Sequence, residues 1–428
     1  MHQTNLPEPV KPGQKRYHRR QMKSAAVSSP RVLTLILLAA LSTLSLNLFL
    51  PSLTNIARDF NADYSLVSLS IAGYLAIVAV MQLVIGPMSD RFGRRPVLLC
   101  GLSVFVVGSL GCLLASDIYS FLLFRALQAT VISGWVLSMA MIRDTRSEGE
   151  SASLIGYVAM SMAIAPMLGP MIGGLLDEFF GWRASFVLYS FMGLALLLLC
   201  WLDLDETNLS PSATFAVQFE AYPELLGSRR FWGFALCALF STGAFYVFLA
   251  GVPLVAARQF SISPGLLGFY MGTITAGFAA GSFVAGRYSQ RYARTTMMIA
   301  GRSIAVFGLS LGLILFLAGY AHGATLFFAT VFVGVANGVS MPSVNAGAIS
   351  IRPGLAGSAA GLMGASTVAS GALLTTLTGF LLETGDAAIR LLGALLSCSL
   401  LALAAAFYVR LVDRHEARLV STSDASRR

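Results

Sequence analysis

Charge is scarce in this chain. Only 11% of its 428 residues are Asp, Glu, Lys or Arg, too few to cover the surface of a water-facing globule. The four histidines (His2, His18, His322 and His415) sit in the tails or a loop and make no metal-ligand spacing. The five cysteines (Cys100, Cys112, Cys200, Cys237 and Cys398) fall in apolar runs and match neither a disulfide framework nor a metal site. They read as small apolar fillers. No Gly-rich loop ends in Lys-Ser or Lys-Thr, which argues against ATP as an energy source, and no catalytic or cofactor-holding pattern is visible. Acids are scarcest where they would matter most: all 20 lie in loops, in tails or at the edges of apolar runs.

Apolar residues make up 56% of the chain, and the mean hydropathy is +0.75. Crossing a bilayer takes about 20 apolar residues per helix. Twelve stretches qualify, near 32–53, 65–86, 97–115, 119–141, 152–176, 184–202, 231–255, 265–286, 303–321, 324–350, 355–382 and 391–409. Barrel strands are about ten residues long with alternating polarity, whereas these runs are apolar throughout. The expected fold is therefore an all-α membrane protein. With the N-terminus cytoplasmic, 24 of the 29 Lys and Arg residues fall on the cytoplasmic side and twelve spans return the C-terminus to that side. The basic tail carrying Lys11, Lys15, Arg16, Arg19, Arg20 and Lys23 then reads as an orientation and lipid-surface signal, with no nucleic-acid partner. The first apolar run is too long for a cleaved signal peptide and lacks a small-residue cleavage site.

The charge that does occur between spans is concentrated. The stretch GPMSDRFGRRPVLL, Gly86 to Leu99, packs Asp90, Arg91, Arg94 and Arg95 beside Gly86, Pro87 and Gly93. A faint copy, GRYSQRYARTTMM, begins at Gly286, 200 residues on, with Gln290 in place of the acid. A repeated loop implies a repeated bundle. Pro51 has an echo in Pro253, and the small-residue stretch from Ser151 to Gly174 has one from Ser358 to Gly379. The expected organisation is a basic tail (1–31), a six-helix bundle (32–202), a hydrophilic linker (203–230), a second six-helix bundle (231–410) and a tail (411–428).

The loop residues Gly86, Asp90, Arg91, Gly93, Arg94 and Arg95 resemble the signature of the major facilitator superfamily. The chain is similar to its twelve-span drug:proton antiporters of the bicyclomycin and chloramphenicol resistance type. That narrower resemblance rests on NLFLPSL (Asn47 to Leu53), FRALQA (Phe124 to Ala129), IRD (Ile142 to Asp144), APMLGPMIGG (Ala165 to Gly174), GWRASF (Gly181 to Phe186) and MPSVNAGAIS followed by AGSAAGLMG. It implies two pseudo-symmetric bundles rocking about a central site, and a monomeric inner-membrane exporter of small compounds in exchange for protons. An importer or facilitator of a small metabolite is the alternative.

Within that frame each motif has a mechanical reading. Asp90 is an anion at the cytoplasmic edge, where a helix N-terminus from the other half, near Leu355, would attract it, so the loop is expected to latch one state of the alternation. Gly169, Pro170, Gly173 and Gly174 give a face for close helix contact plus a bend. In the family this is the antiporter motif that seals the path. Arg125 is the one charge inside the spans as drawn, at a cost of about 2.5–3.5 kcal/mol, and the resemblance ties it to proton transfer. Where related antiporters carry a carboxylate, this chain has Asn47, which disfavours strongly cationic substrates and leaves proton coupling to edge acids: Asp59, Asp63, Asp144, Asp177 or Glu178. The fold implies a cavity lined by spans one, four, seven and ten, with Asn47, Arg125, Gln128, Phe245, Tyr246, Asn337, Met341 and Asn345 as contacts, and Tyr74 and Gln82 beside them.

Overall fold

The structure, a computed structural model of the chain, describes residues 30–208, 226–351, 356–383 and 385–426. The basic tail before residue 30, most of the linker and the segment around Leu355 lie outside the described residues. The described secondary structure is helical. Helix α1 (Val32–Asn47) reaches Pro51, which has no N–H to donate and sits at the start of a 3-10 turn (Leu50–Ser52). The chain re-enters helix as α2 (Leu53–Asp59), so the two form one rod. The same device joins α5 (Ile118–Gln128) to α6 (Ile132–Thr145) through the 3-10 turn Ala129–Val131. Single helices form the other rods of the first half: α3 (Tyr64–Phe92), α4 (Arg94–Leu114), α7 (Glu148–Phe180) and α8 (Arg183–Asp203). The second half comprises α9 (Arg229–Phe260), α10 (Pro264–Tyr288), α11 (Arg294–Leu317), α12 (Gly323–Ile349), α13 (Ala356–Leu381) and α14 (Ala387–Ser426).

These twelve rods form the two expected bundles. Among the described residues, eleven rods are long and apolar enough to cross a membrane; the twelfth is α7, several of whose side chains lie outside the described set. Large apolar side chains such as Leu114, Leu202, Phe283 and Leu317 are exposed around the outside, as a lipid-facing surface requires. In the following, the end of the bundle that carries neither terminus is called distal and the other proximal.

The repeat survives in three dimensions. Helix α4 starts at Arg94 and α11 at Arg294, again 200 residues apart. Gly101 and Gly301 occupy the same place in each, and an added Cβ would press on the Ser133 side chain in one half and the Ser340 side chain in the other. Most spans run past their expected ends, and two of the differences have a clear cause. Helix α3 runs past Pro87 to Phe92 and stops only where Gly93 takes φ +98°, a conformation that other residues resist. Helix α11 begins nine residues before the expected 303; Arg302, whose charge reads as a span edge in the sequence, lies well inside the helix.

Candidate functional site

The first half buries a cation. Arg125 comes from the last turn of α5 and is completely buried. Its Nη1 donates to the Gln128 side-chain oxygen at 2.5 Å and to the Ser45 carbonyl at 3.2 Å. The guanidinium lies over the rings of Phe49 and Tyr74, 4.2 and 4.6 Å from their centroids, which supplies cation–π attraction in place of a counter-charge. Its Nε and Nη2 have no hydrogen-bond partner, and among the described residues no carboxylate pairs with it. Gln128 is held in turn by Ser109, to which its amide donates at 2.7 Å. Asn47 is buried nearby on α1, but its amide donates to Thr43 one turn back at 2.8 Å and its Oδ1 is unpaired. The Arg125 head is folded into the bundle and does not extend toward a membrane surface.

The second half holds an open cavity. Phe245 on α9 and Asn337, Met341 and Asn345 on α12 line a pocket of about 380 Å³ together with Thr275 and Phe278 of α10. Pro166 of α7 closes it from the first half. Asn337 donates to the Ser241 carbonyl at 3.3 Å, and its Oδ1 lacks a partner. Tyr246 is not in this lining; its ring is buried over Gly371, between α9 and α13. The expected contact set is thus divided: Asn47, Arg125 and Gln128 lie in the first bundle's core, Phe245, Asn337, Met341 and Asn345 share one cavity wall, and Tyr246 packs aside.

The distal end is shut by the small-residue run of α7. A Cβ on Gly173 would overlap the Leu48 carbonyl oxygen, and one on Gly174 the Pro264 carbonyl oxygen. Gly169 lies against Asn47, with an added Cβ 3.1 Å from that side chain. The Pro170 carbonyl occupies the space a side chain on Gly268 would need. One face of the run therefore touches α1 and the other touches α10 across the boundary between halves. Among the described residues, three side-chain hydrogen bonds join the halves at this end. Tyr64 donates to the Ala250 carbonyl at 2.6 Å, and Glu178 Oε2 accepts from the Gly265 N–H at 2.9 Å and the Ser263 hydroxyl at 3.1 Å. Glu178 thereby caps the N-terminus of α10, where unpaired N–H groups favour an anion.

At the proximal end, the described contacts of the Gly86 loop are to its own half and to the start of the linker. Arg94 pairs with Asp90 at 2.5 Å and with Asp144 at 3.0 Å. The Glu206 carboxylate accepts from the backbone N–H groups of Arg94 and Arg95 at 2.8 and 3.1 Å, capping α4. Asn208 donates to the Asp90 carbonyl at 2.8 Å. Arg95 also donates to the Trp201 carbonyl at 3.0 Å, Arg91 lies over Phe92, and nothing crowds Gly86. Gly93 needs both its positive φ and its missing Cβ, which would strike the Glu206 carboxylate. The expected counterpart of Asp90, a helix start near Leu355, falls outside the described residues.

The edge acids separate by environment. Asp59 pairs with Arg183 at 2.6 Å, Asp144 with Arg94, and Asp63 lines a polar distal pocket with Arg58, Arg258 and Glu383. Asp177, just past the apolar run 152–176, is buried. Asn55 donates to its Oδ2 at 2.8 Å, Oδ1 has no hydrogen-bond partner, and burial pushes its carboxyl above the usual carboxylate range. Sequence reasoning missed two participants. Glu206 belongs to the linker, where acids are unremarkable. Arg302, buried inside α11, was discoverable, since adding the 200-residue offset to the start of span three places it five residues within span nine.

Two bundles related by a parallel repeat, a shut end, a cavity between halves and an uncompensated buried cation define a secondary membrane transporter. The chain belongs to the Major Facilitator Superfamily, whose profile it matches over residues 35–374 and again over 234–427. It is 28% identical to multidrug resistance protein D of Escherichia coli over 85% of this chain and 92% of that one. It is 28% identical to a bicyclomycin resistance protein homolog of Haemophilus influenzae over 87% of this chain and 94% of the relative. Among solved structures it resembles the inward-facing, unoccupied form of a bacterial homolog of the human lysosomal transporter Spinster, with TM-score 0.71 and 16% identity, covering 90% of this chain and 96% of the other.

Proposed function

We propose that this protein is an exporter of neutral or anionic drug-like compounds, working by alternating access in exchange for protons. Its termini are then cytoplasmic, its distal end faces outward, and the arrangement described is the one closed to the outside. The relatives named for multidrug and bicyclomycin resistance support the substrate class. The observation that carries the charge preference is Arg125, a buried guanidinium with two unpartnered nitrogens and, among the described residues, no paired carboxylate. A buried cation that costs several kcal/mol is retained where it does work on a ligand or a proton. The apolar cavity wall with the Asn337 and Asn345 amides suits acceptor-rich, otherwise apolar molecules. In the exchange, the Gly174–Pro264 and Glu178–Gly265 contacts part to open the outside, and the Gly86 loop, braced by Arg94 with Asp90 and Asp144, is the element that latches onto the other half at the inner end.

Expression in an efflux-deficient bacterial host tests this reading. Tolerance to chloramphenicol or another neutral antibiotic should rise and should be abolished by a protonophore. Unchanged tolerance across a broad panel, with uptake of a metabolite instead, would overturn it.

A further inference from the structure

Arg302 has no part in the mechanism so far, yet with Arg125 it is one of the two largest fully buried side chains among the described residues and only 1% exposed. It lies on α11, and its Nη2 donates to the Ser340 hydroxyl on α12. Its Nε has no partner, and no carboxylate among the described residues pairs with it. The groups around it are the Cys237 thiol of α9, which lies within its electrostatic reach, and the Ser340 hydroxyl, itself bonded to the Ala336 carbonyl at 2.8 Å.

The fold does not require a charge there. The repeat puts Leu102 at the same position of α4, with Gly101 and Gly301 preceding the two residues and packing on the next rod alike, and Leu102 is fully buried. An aliphatic side chain therefore satisfies the packing of this site in one half. In the other half a guanidinium occupies it at a large desolvation cost. What Arg302 is near explains the difference. Ser340 is one residue from Met341 and one helical turn from Asn337, both of which line the 380 Å³ cavity. Arg302 thus reaches, through Ser340, the helix that forms the second-half wall of the cavity, while Arg125 stands in the core of the first half.

Building on the exporter reading, we infer that Arg302 is a substrate-selectivity residue: an uncompensated cation bonded to the helix of the cavity wall that, with Arg125, disfavours cationic compounds and favours anionic or acceptor-rich ones. Two unit charges in a water-poor interior interact over many ångströms with little salt screening, so contact with the ligand is not needed. Arg302 acts on the ligand through its field.

The test compares binding of tetraphenylphosphonium, a cation, with chloramphenicol, which is neutral, to the purified full-length protein in lipid nanodiscs. Arg302→Leu copies the residue found in the first half, Arg302→Gln removes the charge but keeps a donor for Ser340, and Arg302→Lys keeps the charge. The expected result is a rise of about tenfold in the cation-to-neutral affinity ratio for both uncharged variants, and a ratio near wild type for the lysine variant. A purely structural role would lower both affinities together and leave the ratio alone. An unchanged ratio in Arg302→Gln, or an equal shift in Arg302→Lys, overturns the inference. Wild-type protein that binds chloramphenicol without exporting it overturns the exporter reading instead, and wild-type protein that binds neither probe overturns both.

Discussion

Glu178 and Gly265 belong to different halves of the molecule, and the carboxylate of the first accepts the backbone N–H of the second at 2.9 Å. With the Ser263 hydroxyl also bonded to it, Glu178 closes the N-terminus of α10 from across the boundary. A capping carboxylate of this kind is worth about 0.5–2 kcal/mol. Glu178→Gln keeps the shape and loses the charge, so the distal end should open more often, by roughly two- to thirtyfold. Labelling rates of a cysteine placed at Thr275, in the cavity wall, by a membrane-impermeant thiol reagent added from outside will report this in a background lacking the native cysteines. An unchanged rate would mean that glycine packing alone keeps this end shut.

Asp177, next in the chain, should make that closure depend on pH. Its carboxyl is raised chiefly by burial; Asn55 and Ser52 oppose the shift, and Glu178 adds to it as a like charge. The sign follows from the direction. A carboxyl whose affinity for a proton is higher in the closed form than in water favours closure while it is protonated, and loses that advantage as pH rises through its raised value. Outside accessibility should therefore increase with pH above the ordinary carboxylate range in wild type. In Asp177→Asn the same curve should be flat over that window. A wild-type slope retained in the variant assigns the titration to another group.

Much of this was legible in the sequence for a physical reason: hydrocarbon forces every backbone group into a helix, so long apolar runs announce rods. The loop echo at Gly86 and Gly286 announced two bundles, and the Gly-Pro run of α7 announced a close contact. What failed is instructive. Arg302 is hard to find because it stands one residue before the apolar run 303–321, where a charge reads as a span edge, whereas Arg125 has apolar residues on both sides. Tyr246 was grouped with Phe245 although neighbours on a helix point about 100° apart, so only one of them faces the cavity. The separation of Arg125 from the Asn337 wall depends on how the bundles are docked, which no local pattern encodes.

Gly173 and Gly174 make different contacts, and single substitutions should separate them. Gly173→Ala would drive a methyl into the Leu48 carbonyl of the same half, while Gly174→Ala meets the Pro264 carbonyl across the boundary. Overpacking of this kind costs about 1–3 kcal/mol. Gly174→Ala should therefore prise the distal end open, with leak of protons into everted vesicles, whereas Gly173→Ala should lower the amount of folded protein in the membrane. Two variants with the same profile would contradict this division.

Glu206 offers a test of the proximal loop. Its carboxylate holds the Arg94 and Arg95 N–H groups, and Glu206→Gln retains one acceptor oxygen while giving up the charge. Hydrogen exchange at the start of α4 should speed up by roughly two- to tenfold, the loss expected for a cap worth about 0.5–1.4 kcal/mol. Transport should slow while substrate affinity holds, since no residue of the loop lines the cavity. A variant with weakened substrate affinity and normal exchange would place Glu206 in a different role.

Arg125 is the sharpest case, because two views of it predict opposite outcomes for stability. If its charge existed to hold the first bundle together, Arg125→Ala would leave the Gln128 oxygen without its donor, empty a space against Phe49 and Tyr74, and deplete the protein from the membrane. If the charge serves transport, its removal also relieves the cost of burying a guanidinium with two unpartnered nitrogens, and the losses and gains largely offset. Arg125→Met, which fills the space without charge, decides between them. We expect wild-type amounts of protein in the membrane, with export of chloramphenicol reduced at least tenfold. Arg125→Lys should recover part of the export, because it keeps the charge while losing the bidentate reach and the ring stacking of a guanidinium. Low protein levels in the methionine variant, with normal export per molecule, would make Arg125 a structural residue and remove the observation on which the charge preference rests.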